Sequence, residues 1–233
     1  WYRCSLCEQD YHGVVACALG WACWKTYVGR PETDQLQGMA MGQLGNGLYV
    51  SGHHEDALFV KEAELSMERR RGAPEENILV VQGNLASTYQ KVGRLDEALR
   101  RRKVVYSDYV KLKGQDHELA ILAAYNYATS LVSLKRFEEV KSWSRKTIPV
   151  ARRGLGDSNE LTLRMRWNYA MALYGDDGAT LDDLREAVET LEETTRTSRR
   201  VFGGTHPTVP VIERSLRDAQ AVLSARESRV SSG

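Results

Sequence analysis

At 233 residues, 42% hydrophobic and 27% charged, the chain has the makeup of a folded protein long enough for one large domain, two ordinary ones or an array of small units. A net charge of +1 supplies no global field for nucleic acid or an anionic membrane. No apolar run reaches the roughly 18 residues that suggest a membrane span. Val14 to Trp24 comes nearest and is closed by Lys25.

The chain opens Trp1-Tyr2-Arg3-Cys4, without the basic start and apolar stretch of a secretory signal and without an initiator Met, which reads as a fragment or a processed form. All four cysteines lie at positions 4, 7, 17 and 23. A disulfide framework would spread its crosslinks through the fold, so this clustering points instead to metal or redox chemistry and to an intracellular, cytoplasmic setting. The order Cys4-x2-Cys7-x4-His12-x4-Cys17 has zinc-knuckle spacing, with four ligands for a tetrahedral ion. Against it, Glu8-Gln9-Asp10-Tyr11 holds no glycine for the turn, and Cys17 sits in an apolar helical stretch. Cys4-Ser5-Leu6-Cys7-x3-Tyr11-x-Gly13, followed by a Trp-containing helix, resembles the last segment of a RING-CH finger. That resemblance makes Cys4 and Cys7 two ligands of a zinc site whose other half lies upstream. A third reading makes Cys4 and Cys7 surface thiols, with Cys17 and Cys23 small core residues. Zn2+ is thus a candidate cofactor at the N-terminus, on Cys4 and Cys7, with His12 and Cys17 involved only in a self-contained knuckle.

Val14 to Val28 reads as a helix apolar on most sides, expected to be buried and to cap the helices after it. Gly29-Arg30-Pro31 stops it, and Glu32-Thr33-Asp34 opens the next helix.

From residue 32 the chain repeats. Leu44, Leu85, Tyr127 and Tyr169 recur at steps of 41, 42 and 42 residues, each with an apolar partner four positions on (Leu48, Tyr89, Leu131, Leu173). That spacing sets each pair on one helical face. A small residue follows the first member each time: Gly45, Ala86, Ala128 and Ala170. Gly52 and Gly93 mark the turn into a second helix, which carries Ala57, Ala98, Val140 or Ala187. Lys135 stands where the third unit should have its turn glycine. Linkers Gly114-x2-His117-Glu, Gly156-x2-Asn159-Glu and Gly203-x2-His206-Pro, with a looser copy at Gly72-Ala-Pro74, end one unit and start the next.

Asn84-Leu85-Ala86-x2-Tyr89-x3-Gly93-x4-Ala98-Leu99 and these linkers resemble the tetratricopeptide-repeat (TPR) family in its 42-residue, kinesin-light-chain-like form. The expected fold is all-α: a right-handed α-solenoid of antiparallel helix pairs. Four TPR-like repeats occupy residues 32–225, with an apolar capping helix and turn before them (14–31). The last helix, Pro207 to Ala225, closes the array, and residues 226–233 are expected to be disordered. The resemblance implies that the first helices line a groove, at Asn46, Tyr49, Ser87, Gln90, Tyr125, Thr129, Trp167 and Met171, with Asn84, Asn126 and Asn168 beside them. There asparagine and threonine either bond a peptide backbone or tie neighbouring helices together, and the aromatic side chains anchor a ligand.

The basic runs Arg69-Arg70-Arg71, Lys111 with Lys113, Arg152-Arg153 and Arg199-Arg200 fall in last turns of second helices, where they complement the dipole. Arg100-Arg101-Arg102-Lys103, mid-helix, reads as a solvated face. No phosphate loop, nucleophile elbow or metalloprotease helix occurs. The sequence therefore points to a non-enzymatic scaffold for a protein or peptide partner, without nucleic acid or membrane insertion. The alternative is the substrate-recognition region of a RING-CH-type ubiquitin ligase.

Overall fold

The computed structural model describes residues 11–231, so Cys4 and Cys7 lie outside the described residues. Among those residues the structure is all-helical: α1 (Gly13–Tyr27), α2 (Gln35–Val50), α3 (His54–Arg70), α4 (Glu75–Lys91), α5 (Leu95–Lys113), α6 (Glu118–Ser133), α7 (Phe137–Leu155), α8 (Glu160–Gly175), α9 (Leu181–Phe202) and α10 (Thr208–Ser231). It is an α-solenoid of paired helices. The chain divides into two compact units, one ending at Asp108 and the other beginning at Tyr109.

In the first unit, Leu44, Leu48 and Ala57 form one apolar cluster. Leu58, Leu65, Val81, Leu85, Tyr89 and Ala98 form another. In the second unit, Tyr169, Ala170, Leu173, Ala187, Leu191, Ile212 and Ala219 pack together. The four second-helix residues of the repeat, Ala57, Ala98, Val140 and Ala187, are all fully buried.

The hairpin turns share one hydrogen-bond pattern. His53, Arg94 and Arg136 donate their backbone N–H to the carbonyls of Leu48, Tyr89 and Leu131, at 2.9, 2.8 and 2.9 Å. The residue before each donor takes a left-handed backbone: Gly52 at φ +88°, Gly93 at +81° and Lys135 at +54°. This is a Schellman C-cap, and its geometry is held in the third hairpin by a lysine that carries the steric penalty of a Cβ. The linkers supply N-caps. His117 Nδ1, Asn159 Oδ1 and His206 Nδ1 accept from the N–H two residues on, at 3.2, 2.8 and 3.4 Å. Asp34 does the same for Leu36 at 2.9 Å, so the second helix starts after Asp34 and not with it. The longer fourth hairpin ends in a capping box between Thr180 and Asp183.

Two expectations are corrected. α1 is not enclosed: Val14 is 82% exposed, and Val15 and Trp21 are exposed too. Among the described residues α1 packs on α2 and buries the side that meets it, at Gly20 and Cys23. Nor does the last helix stop at Ala225, since α10 continues to Ser231. Arg185 on α9 reaches Glu227 at 3.0 Å and ties that extra turn down.

Candidate functional site

The outward faces of the first helices hold the candidate binding residues. In the first unit, Leu36, Met39, Asn46 and Val50 are exposed along α2, and Asn77, Val80 and Asn84 along α4. Their spacing of three, four or seven residues sets each series on a single helical face.

Asn46 accepts a hydrogen bond from Lys61 Nζ at 2.5 Å. Lys61 is only 2% exposed. It reaches Asn46 across α2 at Gly45, where a Cβ would sit 3.0 Å from Lys61 Cγ. The same ammonium lies 5.8 Å from the centre of the Tyr49 ring. Burial pushes the Tyr49 hydroxyl pKa up, with Arg102 pulling it down. Arg102 is itself buried, and its guanidinium lies 3.4 Å from Ser87 Oγ. Asn46, Tyr49 and Ser87 are thus backed by two buried cations from the second helices.

Below Lys61 the acidic residues of α3 continue this line. Glu64 and Glu68 are buried opposite Gly42 and Gly38, where a Cβ would meet their carboxylates at 2.8 and 2.5 Å. Burial pushes the Glu64 carboxyl up to about 7, with Lys61 opposing and Glu68 reinforcing the shift. Burial likewise lowers Lys61. Arg71 pairs with Glu68.

In the second unit the expected anchors are drawn inward. The indole of Trp167 donates to Ser215 Oγ at 2.9 Å and packs against the Tyr169–Leu173 cluster. Asn168 is 5% exposed and donates to Thr129 Oγ1 at 3.1 Å. Thr129 in turn donates to the Tyr125 carbonyl at 3.0 Å. Tyr125, Asn126, Met171 and, in the first unit, Gln90 are half-buried. Of the three asparagines at this register, Asn84 is the one that faces solvent outright.

Sequence reasoning missed a second register. Met39, Val80 and Leu122, each five residues before the repeat's first apolar residue, are 66%, 49% and 41% exposed. The signal was available in the 41- and 42-residue steps between them. It also missed Lys61, and it read Arg102 as solvated. The basic runs do sit at the ends of second helices, and among their pairings Arg70 meets Glu32, Arg71 meets Glu68, Arg153 meets Asp116 and Arg199 meets Glu213.

Among the described residues no group of three or more histidine, cysteine or acidic side chains is arranged to hold a metal. His12 is exposed, while Cys17 packs toward Leu44, Leu48 and Ala57. Nor is any helix among those residues long and apolar enough to cross a membrane.

Comparison with protein-family models and with curated protein sequences gives no match. Solved structures do match. The crystal structure of BtubC (BKLC) from P. vanneervenii is similar at 13% identity and a TM-score of 0.68, over 94% of this chain and 90% of that one. A Podosopora anserina protein, described as a kinesin light chain with nearly identical TPR-like repeats, matches as well. There the identity is 17% and the TM-score 0.67, over 85% of this chain and 91% of that one. At such identities the likeness establishes a shared TPR-like fold.

Proposed function

We propose that the chain is a non-enzymatic interaction scaffold that binds peptide segments along the outward faces of its first helices. One observation carries this reading: an exposed apolar residue recurs at the same register in α2, α4 and α6, as Met39, Val80 and Leu122. A fold stabilised from within has no need of such side chains outside, and repeated exposed apolar contacts are what an extended ligand can use. On the first unit the ligand's apolar side chains meet Met39 and Val80, and its backbone amides meet Asn46 and Asn84. Lys61 fixes the Asn46 carboxamide before the ligand arrives, which lowers the ordering cost of binding. On the second unit Leu122 and Tyr125 serve in the same way.

Selection from a displayed peptide library on the whole chain, followed by titration of the selected peptides by fluorescence anisotropy, tests the reading. Met39→Ser with Val80→Ser should weaken binding at least about tenfold while leaving the helical circular dichroism unchanged. Selected peptides that bind this double variant and a Leu122→Ser/Tyr125→Ser variant with wild-type affinity would overturn it.

A further inference from the structure

Each repeat carries an acid immediately before the buried residue of its second helix: Asp56, Glu97, Glu139 and Glu186 stand before Ala57, Ala98, Val140 and Ala187. After the first repeat, an arginine of the chain itself always attends that acid. Arg94 bonds Glu97 at 3.1 Å, and its guanidinium lies 4.6 Å from the centre of the Tyr89 ring. Arg101 approaches the same ring at 5.0 Å. Arg136 pairs with Glu139. In the fourth repeat the Tyr169 hydroxyl accepts from Arg145 Nε at 3.1 Å and donates to Glu186 at 2.7 Å. There the Arg145 guanidinium lies 5.8 Å from the centre of the Tyr169 ring. Carboxylate, aromatic ring and arginine thus recur together in the second and fourth repeats.

The first repeat has the acid and the aromatic rings without the arginine. His53 stands where the second and third repeats have Arg94 and Arg136, and its Nδ1 is 4.0 Å from the Asp56 carboxylate, beyond hydrogen-bond reach. Val60 stands in the place of Arg101. Among the described residues Asp56 has no closer cationic partner. Next to it a hollow of about 860 Å³, counting the solvent at its mouth, opens over α2 between α1 and α3. Trp21, Trp24, Met41, Phe59 and Val60 line it, and Asp56 is the charged residue at its wall. Phe59 and Trp21 stand 75% and 44% exposed.

The lining specifies what fits. A guanidinium is planar, weakly hydrated and always charged, so it can lie flat on an indole or phenyl face while giving a carboxylate two parallel hydrogen bonds. A lysine ammonium is compact and strongly hydrated, and it lacks the fork. An acidic ligand meets Asp56 with like charge. Apolar side chains next to the incoming arginine find Trp24 and Met41, which extends the contact beyond a single ion pair.

We propose that the α1–α3 hollow receives an arginine side chain from a protein partner, stacked on Trp21 and Phe59 and bonded to Asp56, with the arginine's apolar neighbours covering Trp24 and Met41. This site does not use the outward register of Met39 and Val80. A random library of displayed short peptides is selected on the whole chain, and the selected peptides are titrated by fluorescence anisotropy. One class is expected to carry an arginine between apolar residues and to lose affinity at least about tenfold with Asp56→Asn and with Phe59→Ser. Replacing its arginine by citrulline, the uncharged isostere, should cost a similar factor, and this exchange alters the ligand alone and so cannot act through folding of the chain. Met39→Ser with Val80→Ser should leave this class unaffected, which separates it from ligands of the outward faces. A selection without any peptide that depends on both Asp56 and Phe59 would overturn the proposal. So would Phe59-dependent peptides that lack arginine or tolerate citrulline.

Discussion

The buried carboxylate of Glu64 should make the chain less stable as pH rises from acid to neutral, and Glu64→Gln should remove that dependence. Glu64 is 9% exposed in the α2–α3 hairpin, and its carboxyl titrates at about 7 against an ordinary value of 4.5. Folding therefore favours the protonated form. This contribution is fully present below the ordinary value and is lost as pH rises through 7. Between about pH 5 and about pH 7.5 the loss amounts to about 2 kcal/mol. Lys61 works in the opposite sense. Its pKa is lowered, so its contribution is present above its ordinary value and is lost as pH falls toward about 8. Measurements kept below about pH 7.5 therefore isolate Glu64 in the wild-type chain. Urea unfolding followed by circular dichroism, on wild type and Glu64→Gln at matched pH, gives the difference with the titrating groups that do not touch Glu64 subtracted. The variant should gain on the wild type as pH rises. Freed of its partner, Lys61 titrates lower still and adds to the divergence with the same sign. Parallel stability curves across this range would refute a buried, proton-binding Glu64.

Lys135→Gly should stabilise the third hairpin by about 1 kcal/mol, because glycine meets no Cβ penalty at φ +54°; thermal unfolding that fails to rise would count against a left-handed turn there. His117→Ala should lose about 1 kcal/mol of stability, while His117→Asn, which keeps a side-chain acceptor for the Leu119 N–H, should lose little. Equal losses would show that the cap does not matter. Gly47→Ala should destabilise by about 1–3 kcal/mol, since its Cβ would lie 2.6 Å from the Ala16 carbonyl oxygen. Gly83→Ala, with nothing within 4 Å of the new Cβ, should instead stabilise by up to about 1 kcal/mol. A Gly47→Ala variant as stable as wild type in chemical denaturation would contradict the packing of α1 on α2.

The repeat register was legible because its determinants are local. Leu85 with Tyr89, or Gly93 after them, reports a helical face and a turn without knowledge of the partner helix, and the same pattern returns one unit later. The linker caps were equally readable, since a residue such as Asn159 acts on an N–H two positions away. What escaped was whatever depended on a neighbour far along the chain. Lys61, Glu64 and Glu68 look like ordinary solvated charges until Gly45, Gly42 and Gly38 are set opposite them. A signal did exist in the glycines. Four of them within α2, at roughly 1 kcal/mol each in lost helix propensity, imply that something comes too close to admit a Cβ. On α1 the same principle produced an error in the other direction: apolar periodicity states what a helix could bury, while the number of neighbours decides what it does bury.

That distinction also locates specificity. At the positions that define the fold, Leu44, Leu85, Tyr127 and Tyr169 are constrained from both sides, and each is less than 9% exposed. Five residues earlier, Met39, Val80 and Leu122 each leave a large part of the side chain in solvent, and the fourth unit replaces them with Arg164, paired to Glu160 at 2.7 Å. Packing constrains the chemistry at that register less than it does at the buried positions. The asparagine register is mixed for the same reason, with Asn84 turned to solvent and Asn168 bonded to Thr129. A side chain committed to its neighbour is unavailable to a ligand at no cost, so identical letters in successive repeats do not make identical contacts. In this fold the residue type marks a candidate, and the partner it already has in the free chain determines whether it can serve.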